Sequence, residues 1–363
     1  MNNKNLVDSF IEIAKIEGLS GNEKSVASFI KSVFASLGLN FFEDASKEKT
    51  GSDTGNIICK FGNGGDFLLS CHMDTARSTR NLKPIILEDK ITSDGSTVLG
   101  VDNRVGVTVL LELVKAIINK KLPHKDFTLV FTTCEETTLA GSLNLEVGDN
   151  IKRAFVLDSY MRPGKYIAAS VGAAVYKIKV IGKAAHSGIE PEKGINALTI
   201  AAEAISKIKF GKITADTTSN IGIIKGGTAT NVVPDLVELE GEVRSRDIDD
   251  VKKNVEVIKH VFEEVSAKQN GKMEFEWRWD FMPFNLSEES KVIQDIEEAI
   301  SKTNLIPERV LSYGGSDANS YNGRGIEAVN IGIGAQNPHS NSEFILLEDL
   351  DKAFQIALEL VKK

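Results

Sequence analysis

Along the first 160 residues the apolar positions recur in two alternating rhythms. Residues 3–17 and 22–37 place them about every 3.6 positions, the spacing of one helix face, and Gly38 follows the second run as a C-cap. Two short apolar runs, 56–60 and 66–71, flank Gly62-Asn63-Gly64-Gly65 and predict strands on either side of a turn. Residues 103–119 return to helical spacing. The runs 127–132 and 154–157 are almost continuously apolar, as strands covered on both faces must be. Strands alternating with helices predict an α/β/α sandwich around a mixed, largely parallel sheet.

The rhythm changes after Gly172. Residues 174–181 alternate as a half-exposed strand, 194–208 form a helix, and 220–225 and 237–244 form strands. A long charged helix, 248–267, precedes a strictly alternating strand at 273–279. The order β-α-β-β-α-β is that of the ferredoxin-like α+β fold. From about residue 287 the earlier rhythm resumes, with a helix at 288–302, a strand near 328–330 and a closing helix at 348–362. The expectation is an α/β domain formed by 1–172 and 282–363, interrupted by a ferredoxin-like domain at 173–281.

Composition narrows the function. The 363 residues carry 43 Lys+Arg against 51 Asp+Glu, a net charge of −8, which argues against a nucleic-acid or anionic-membrane partner. No apolar run approaches the roughly 20 residues that span a bilayer. The N-terminus leads into a periodic helix rather than a signal segment, and none of the three Cys sits in a CxxC, so the expected setting is a reducing cytoplasm. Only five His are present, so imidazole chemistry must come from His72, His124, His186, His260 or His339.

Their placement separates them. His72 ends an apolar strand in Leu68-Leu69-Ser70-Cys71-His72-Met73-Asp74, where ligand sites of open α/β sheets lie. His-x-Asp sets both side chains on one side of an extended segment, so Asp74 could accept the far N–H of a ligating imidazole or simply satisfy a polar pair. Asp102 precedes helix 103–119, where Asp is also an N-cap. Glu135 and Glu136 follow strand 127–132; a solvated loop is one reading, a pair needing a cation or proton the other. Asp158 follows strand 154–157, and His339 lies in a polar loop after an apolar strand. Acids or His thus follow four buried-strand patterns. Mixed His and carboxylate donors suit zinc, cobalt or manganese, and their number suits a two-metal hydrolase. His124 is a connector residue, His260 lies on the charged helix, and Cys71 and Cys134 are expected in the core. The turn at 62–65 has no following helix or Lys and is no phosphate loop. His186, after a strand of the inserted domain, sits where a lone His is commonly structural.

At these positions the chain resembles the M20 family of zinc-dependent exopeptidases, within it the peptidase T group. The matching segments are Cys71-His72-Met73-Asp74-Thr75, Gly100-Val101-Asp102-Asn103, Cys134-Glu135-Glu136, Val156-Leu157-Asp158-Ser159, Ala184-Ala185-His186-Ser187-Gly188 and Pro338-His339-Ser340-Asn341-Ser342-Glu343. Asp102-Asn103-Arg104 also resembles the M42 aminopeptidases, which lack the Ala-His-Ser-Gly segment and the ferredoxin-like lid. The M20 resemblance implies two divalent ions, most simply zinc with cobalt or manganese as options. Asp102 would bridge them, His72 and Asp158 would complete one, and Glu136 and His339 the other. It implies Glu135 as the general base acting on the bridging water and Asp74 as the residue orienting His72. It also implies a homodimer through the inserted lid, with His186 reaching the partner subunit's site. Asn231 and Arg244 are similar to lid residues that hold the substrate backbone and its carboxylate, although Arg244 also reads as a surface strand charge. Gly315, in Gly314-Gly315-Ser316-Asp317, matches a segment near the active site and equally precedes a helix N-cap. The function so implied is aminopeptidase action on short peptides, tripeptides first. A dipeptidase or N-acyl-amino-acid deacylase is the alternative on the same scaffold, and a non-catalytic peptide-binding protein a remote one.

Overall fold

The structure, a computed structural model, describes residues 3–363. Two compact units divide the chain. One is built from the chain up to Ala169 with Asn285–Ser312 and Ser316–Lys363; the other is Ser170–Phe284 with Tyr313–Gly315.

The first unit is organised by a nine-stranded mixed sheet. Seven of its strands run in the order Phe41–Glu43, Ile57–Phe61, Phe127–Thr132, Phe67–His72, Arg153–Ser159, Glu327–Gly332 and Lys165–Ser170, and the short strands Phe284–Asn285 and Glu308–Ser312 complete it beside Lys165–Ser170. Phe67–His72 pairs in parallel with both neighbours, and Arg153–Ser159 with Glu327–Gly332, so the centre of the sheet is parallel. Every side chain of Phe67–His72 and of Phe127–Thr132 is buried. Alternation sends neighbouring residues of these strands to opposite faces. On one face, Cys71 packs against helix Val101–Lys120 at Gly106, and Phe131 meets Phe34 of helix Lys24–Ser36 with rings 5.9 Å apart. On the other, Ser70 and Thr132 hydrogen-bond Tyr321 and Asp317 of helix Asp317–Gly323. The α/β/α layering follows, as expected.

Two local readings change. Helix Val101–Lys120 is not capped by Asp102, whose carboxylate oxygens face His72 and His339. Asn103 caps instead, its Oδ1 accepting the Gly106 N–H at 2.9 Å, which releases the Asp102 carboxylate for other partners. Glu135 is not in an irregular loop but opens a one-turn helix, Glu135–Thr138. Pro84–Ile86, Lys90–Ser93 and Phe344–Leu346 form a small three-stranded sheet that sequence rhythm does not reveal, because three or four residues carry no period.

In the second unit Thr217–Gly226, Leu236–Ser245, Gly172–Ile181 and Lys272–Phe281 lie side by side in that order, every pair antiparallel. This is the ferredoxin-like arrangement, with the short strand Gly211–Lys212 added at one edge. Tyr176, Ile178, Val180, Leu239 and Val243 form its core with Val255, Ile258 and Phe262 of helix Ile248–Lys268 and Ile200 of helix Ala197–Lys207. Asn196 and Asp247 cap these helices through their side-chain oxygens.

Candidate metal centre

Seven residues singled out by sequence meet in the first unit. His72 is the last residue of its strand and 1% exposed. Its Nδ1 donates to the Asp74 carbonyl at 3.1 Å and lies 3.3 Å from Asp74 Oδ1, so Nε2 is the nitrogen left to ligate. That Nε2 faces Asp102 Oδ1 at 2.9 Å and Asp158 Oδ1 at 3.1 Å. His339 Nε2 faces Asp102 Oδ2 at 3.3 Å and Glu136 Oε2 at 3.0 Å. Two triads therefore share Asp102, one oxygen to each, and the ligand atoms of each triad lie within 4.8 Å of one another. One imidazole nitrogen and two carboxylate oxygens converging on a point form a donor set suited to zinc, cobalt or manganese. The residues present fit a pair of divalent ions.

The supports are equally local. Asp74 is fully buried and accepts from the Ser20 hydroxyl at 2.6 Å and from the N–H groups of Glu135 and Glu136 at 3.1 and 3.2 Å. One carboxylate thus fixes both His72 and the turn carrying the two glutamates. Asn103 Nδ2 donates to Asp158 Oδ1 at 3.0 Å and to the Leu157 carbonyl at 2.8 Å, holding the strand end on which Asp158 stands.

The electrostatics show what these acids lack. Burial raises the Glu135 carboxyl well above its ordinary value, and Asp158 and Glu136 add to the effect. Burial likewise raises Glu136 and Asp158. Burial opposes charge on His72 too, yet Asp158, Asp102 and Asp74 carry its pKa well up. Asp102 and Glu136 raise His339 to about 10. Against burial, hydrogen bonds from His339 and His72 keep Asp102 low. Protons on the imidazoles are standing where cations would otherwise relieve repulsion among buried carboxylates.

Sequence reasoning missed four supporting residues. Glu23, fully buried, accepts from Gly21 N–H, the Ser52 hydroxyl and Cys134 N–H, fixing the turn before Glu135. Arg104, fully buried, donates to the carbonyls of Met73, Ile16 and Gly18. Asp317 sits beneath the site, bonded to Thr132, and burial raises its pKa to about 6. Glu343 accepts backbone N–H groups from two loops. The available signal was an acid beside an apolar strand, as at Glu343; Glu23 reads only as an acid at a helix start. Cys71 and Cys134 are buried free thiols, as expected.

The remaining sequence candidates lie in the second unit and are described there alone. His186 is exposed, and its Nδ1 accepts the Gly188 N–H at 3.2 Å, which leaves the proton on Nε2 as a donor. Asn231 is exposed, its carbonyl accepting the Ser187 N–H at 3.0 Å. Arg244 is engaged through two nitrogens with Glu242 and through a third with the Tyr313 carbonyl, so its guanidinium fork is already filled by a carboxylate. Gly315 lies against Phe281, where a Cβ would come within 2.6 Å of the ring. The following residue, Ser316, caps helix Asp317–Gly323 in a capping box with Asn319, as its sequence suggests.

Known proteins match this chain throughout. The peptidase dimerisation domain of M20 enzymes matches residues 168–270, and peptidase family M28 matches residues 56–203, a span that holds six of the seven site residues. A tripeptidase from Staphylococcus aureus subsp. aureus Mu50 superposes with a TM-score of 0.93 at 31% identity, covering 100% of this chain and 98% of that one. Aminopeptidase PepT from Bacillus cereus ATCC 10987 gives 0.90 at 32% identity, covering 99% and 98%. The YXEP protein of Bacillus subtilis, a dinuclear metal binding peptidase of the M20 family, shares the fold at 17% identity and a TM-score of 0.74, with 99% and 97% covered.

Proposed function

The chain belongs to the M20 family of metallo-exopeptidases, close to peptidase T, and from that premise we propose that it is a di-zinc aminopeptidase that removes the N-terminal residue from short peptides, tripeptides foremost. The observation that carries the reading is the pair of triads sharing Asp102, with Glu135 half-buried beside them. His72, Asp102 and Asp158 would hold one ion, and Asp102, Glu136 and His339 the other. Bound there, two divalent ions supply positive charge that polarises the scissile carbonyl and activates water.

The chain's own groups do the rest. Glu135 belongs to neither triad, so its carboxylate is free to take a proton from water and hand it to the leaving amine nitrogen. Asp74 holds the His72 ring by its Nδ1 side and the Glu135 turn by its main chain. In a homodimer formed through the M20 dimerisation domain, His186 of one subunit would donate its Nε2–H to the oxyanion in the other. Asn231 and Gly315 would border the substrate, and Arg244 would read its terminal carboxylate by exchanging Glu242 for it. A cytoplasmic setting is supported by three free buried cysteines; among the described residues no helix is long and apolar enough to cross a membrane.

The test is a panel of tripeptides, dipeptides and acetylated amino acids, offered to chelator-stripped protein with zinc, cobalt or manganese restored. The expected result is metal-dependent release of the first residue of tripeptides. Preference for dipeptides or acetylated amino acids would replace the aminopeptidase reading with its alternative, and full activity without any ion would remove the metal pair.

A further inference from the structure

We propose that Glu343 is a positioning residue that sets the metal affinity of one triad, Asp102–Glu136–His339, and leaves that of the His72 triad untouched; the inference rests on the two-metal reading above. Glu343 is 2% exposed. Its Oε2 accepts the N–H of Gly100 at 2.6 Å and of Val101 at 3.3 Å, the two residues that lead into Asp102. Its Oε1 accepts the N–H of His339 at 2.8 Å. A single carboxylate therefore ties the backbone of the shared ligand to that of a ligand more than two hundred residues away.

The two triads depend on this tie unequally. His72 stands opposite Thr132 at the end of a buried strand that has a parallel neighbour on each side, with Asp74 on its ring. His339 has no strand or helix around it, its side chain is 49% exposed, and its φ of 64° is one that a non-glycine residue holds only when its surroundings impose it. Glu343 holds the N–H side of His339, and Arg77 Nη1 donates to its carbonyl at 3.2 Å, so the buried carboxylate is the constraint that also reaches the Asp102 loop. Charged acceptors make strong bonds to backbone N–H groups, and two oxygens serving two loops use both ends of the carboxylate.

An amide cannot replace it. Glu343→Gln keeps shape and volume but leaves one oxygen for two loops and turns an NH2 toward an N–H. Outer partners of metal ligands commonly govern affinity by about 10–100-fold. Chelator-stripped wild type and E343Q are titrated with zinc alone, reading bound ions per chain by calorimetry or metal analysis. Wild type should take up two ions; E343Q should take up the first with unchanged affinity and the second about 10–100-fold more weakly. Combined with His339→Ala, which removes a ligand of the same triad, E343Q should cost nothing further. Two ions bound as in wild type, equal weakening of both, or an added loss on the His339→Ala background each overturns the proposal. Wild type that binds fewer than two ions overturns the two-metal reading, and the proposal with it. Should E343Q not fold, Glu343→Asp, which keeps the charge but is too short to reach both loops, takes the same titration with the same outcomes.

Discussion

Two strands of this molecule treat charge in opposite ways. Phe67–His72 is buried from end to end, and its unit gathers the ionisable groups of the site at or just past the C-terminal ends of such strands. Lys272–Phe281 alternates, placing Glu274, Glu276 and Arg278 on an open face and Phe275 and Trp277 toward the core. On that open face Lys177 meets Glu240 at 3.5 Å and Lys179 meets Glu238 at 3.8 Å, all well exposed. Exposed pairs of this kind contribute little. Charge on the alternating sheet costs nothing and so says nothing about function. Charge at the mouth of a buried strand is costly unless something compensates it, and there it marks a site.

The contrast is sharpest when carboxylates are removed from the buried site. Glu135→Ala should lower kcat by about 10²–10⁴-fold while two zinc ions per chain are retained, measured by tripeptide hydrolysis beside metal analysis. Normal kcat would remove Glu135 from the base role. Asp102→Asn should weaken uptake of both ions together, because both triads use that carboxylate; loss of one ion only would mean that Asp102 does not bridge.

The second unit has its own functional candidate and its own core. His186→Ala should cost about 10²–10³-fold in kcat with zinc binding unchanged, the size expected for an oxyanion donor. Mixed with Glu135→Ala under subunit exchange, it should recover partial activity; no recovery despite exchange would confine His186 to its own subunit. Phe262→Ala, in the helix-side core, should cost about 3–5 kcal/mol in denaturant unfolding, whereas Glu276→Ala on the open face should stay within about 0.5 kcal/mol. Comparable losses would dissolve the distinction between the two faces.

A pH series tests the electrostatic side with the ions removed. His339 is raised from 6.5 to about 10 in the folded chain, so folded protein holds the proton more tightly than unfolded. Its stabilising contribution is complete below about pH 6.5 and is lost as pH rises through about 10. Stripped protein should therefore lose stability across that window, and zinc-loaded protein should lose less, since the ligands then face a metal instead of a proton. A rising curve in the stripped protein would contradict the assigned contacts.

Much of the fold was legible because it is written in local rhythm. Strand 127–132 has the bounds its apolar run suggests, and the six elements of the ferredoxin-like unit lie where alternation and 3.6-residue spacing put them. Six of the seven residues brought together at the candidate site were legible as acids and His that end or follow apolar strands, and Asp102 as an acid at a helix start. Their supports were not. Glu343 could be read only as an acid beside a short apolar strand and Glu23 only as an acid at a helix start, and neither pattern names the loops that the carboxylate joins. Asp102 and Asn103 are both good caps, and only the fold gave the cap to Asn103 and left the carboxylate of Asp102 to two histidines. Arg244 could be read as a carboxylate fork, but not as one already filled by Glu242.

The sequence by itself determined the layering, the inserted ferredoxin-like unit and which acids and His are candidates for the site, because burial and periodicity act over a few neighbouring positions. Only the tertiary structure decided which oxygen faces which nitrogen, that Asp102 serves both triads, and that a single glutamate joins the loops at residues 100 and 339. Those facts depend on hydrogen bonds between segments far apart in the chain, whose partners exist only once the sheet has brought its strand ends together.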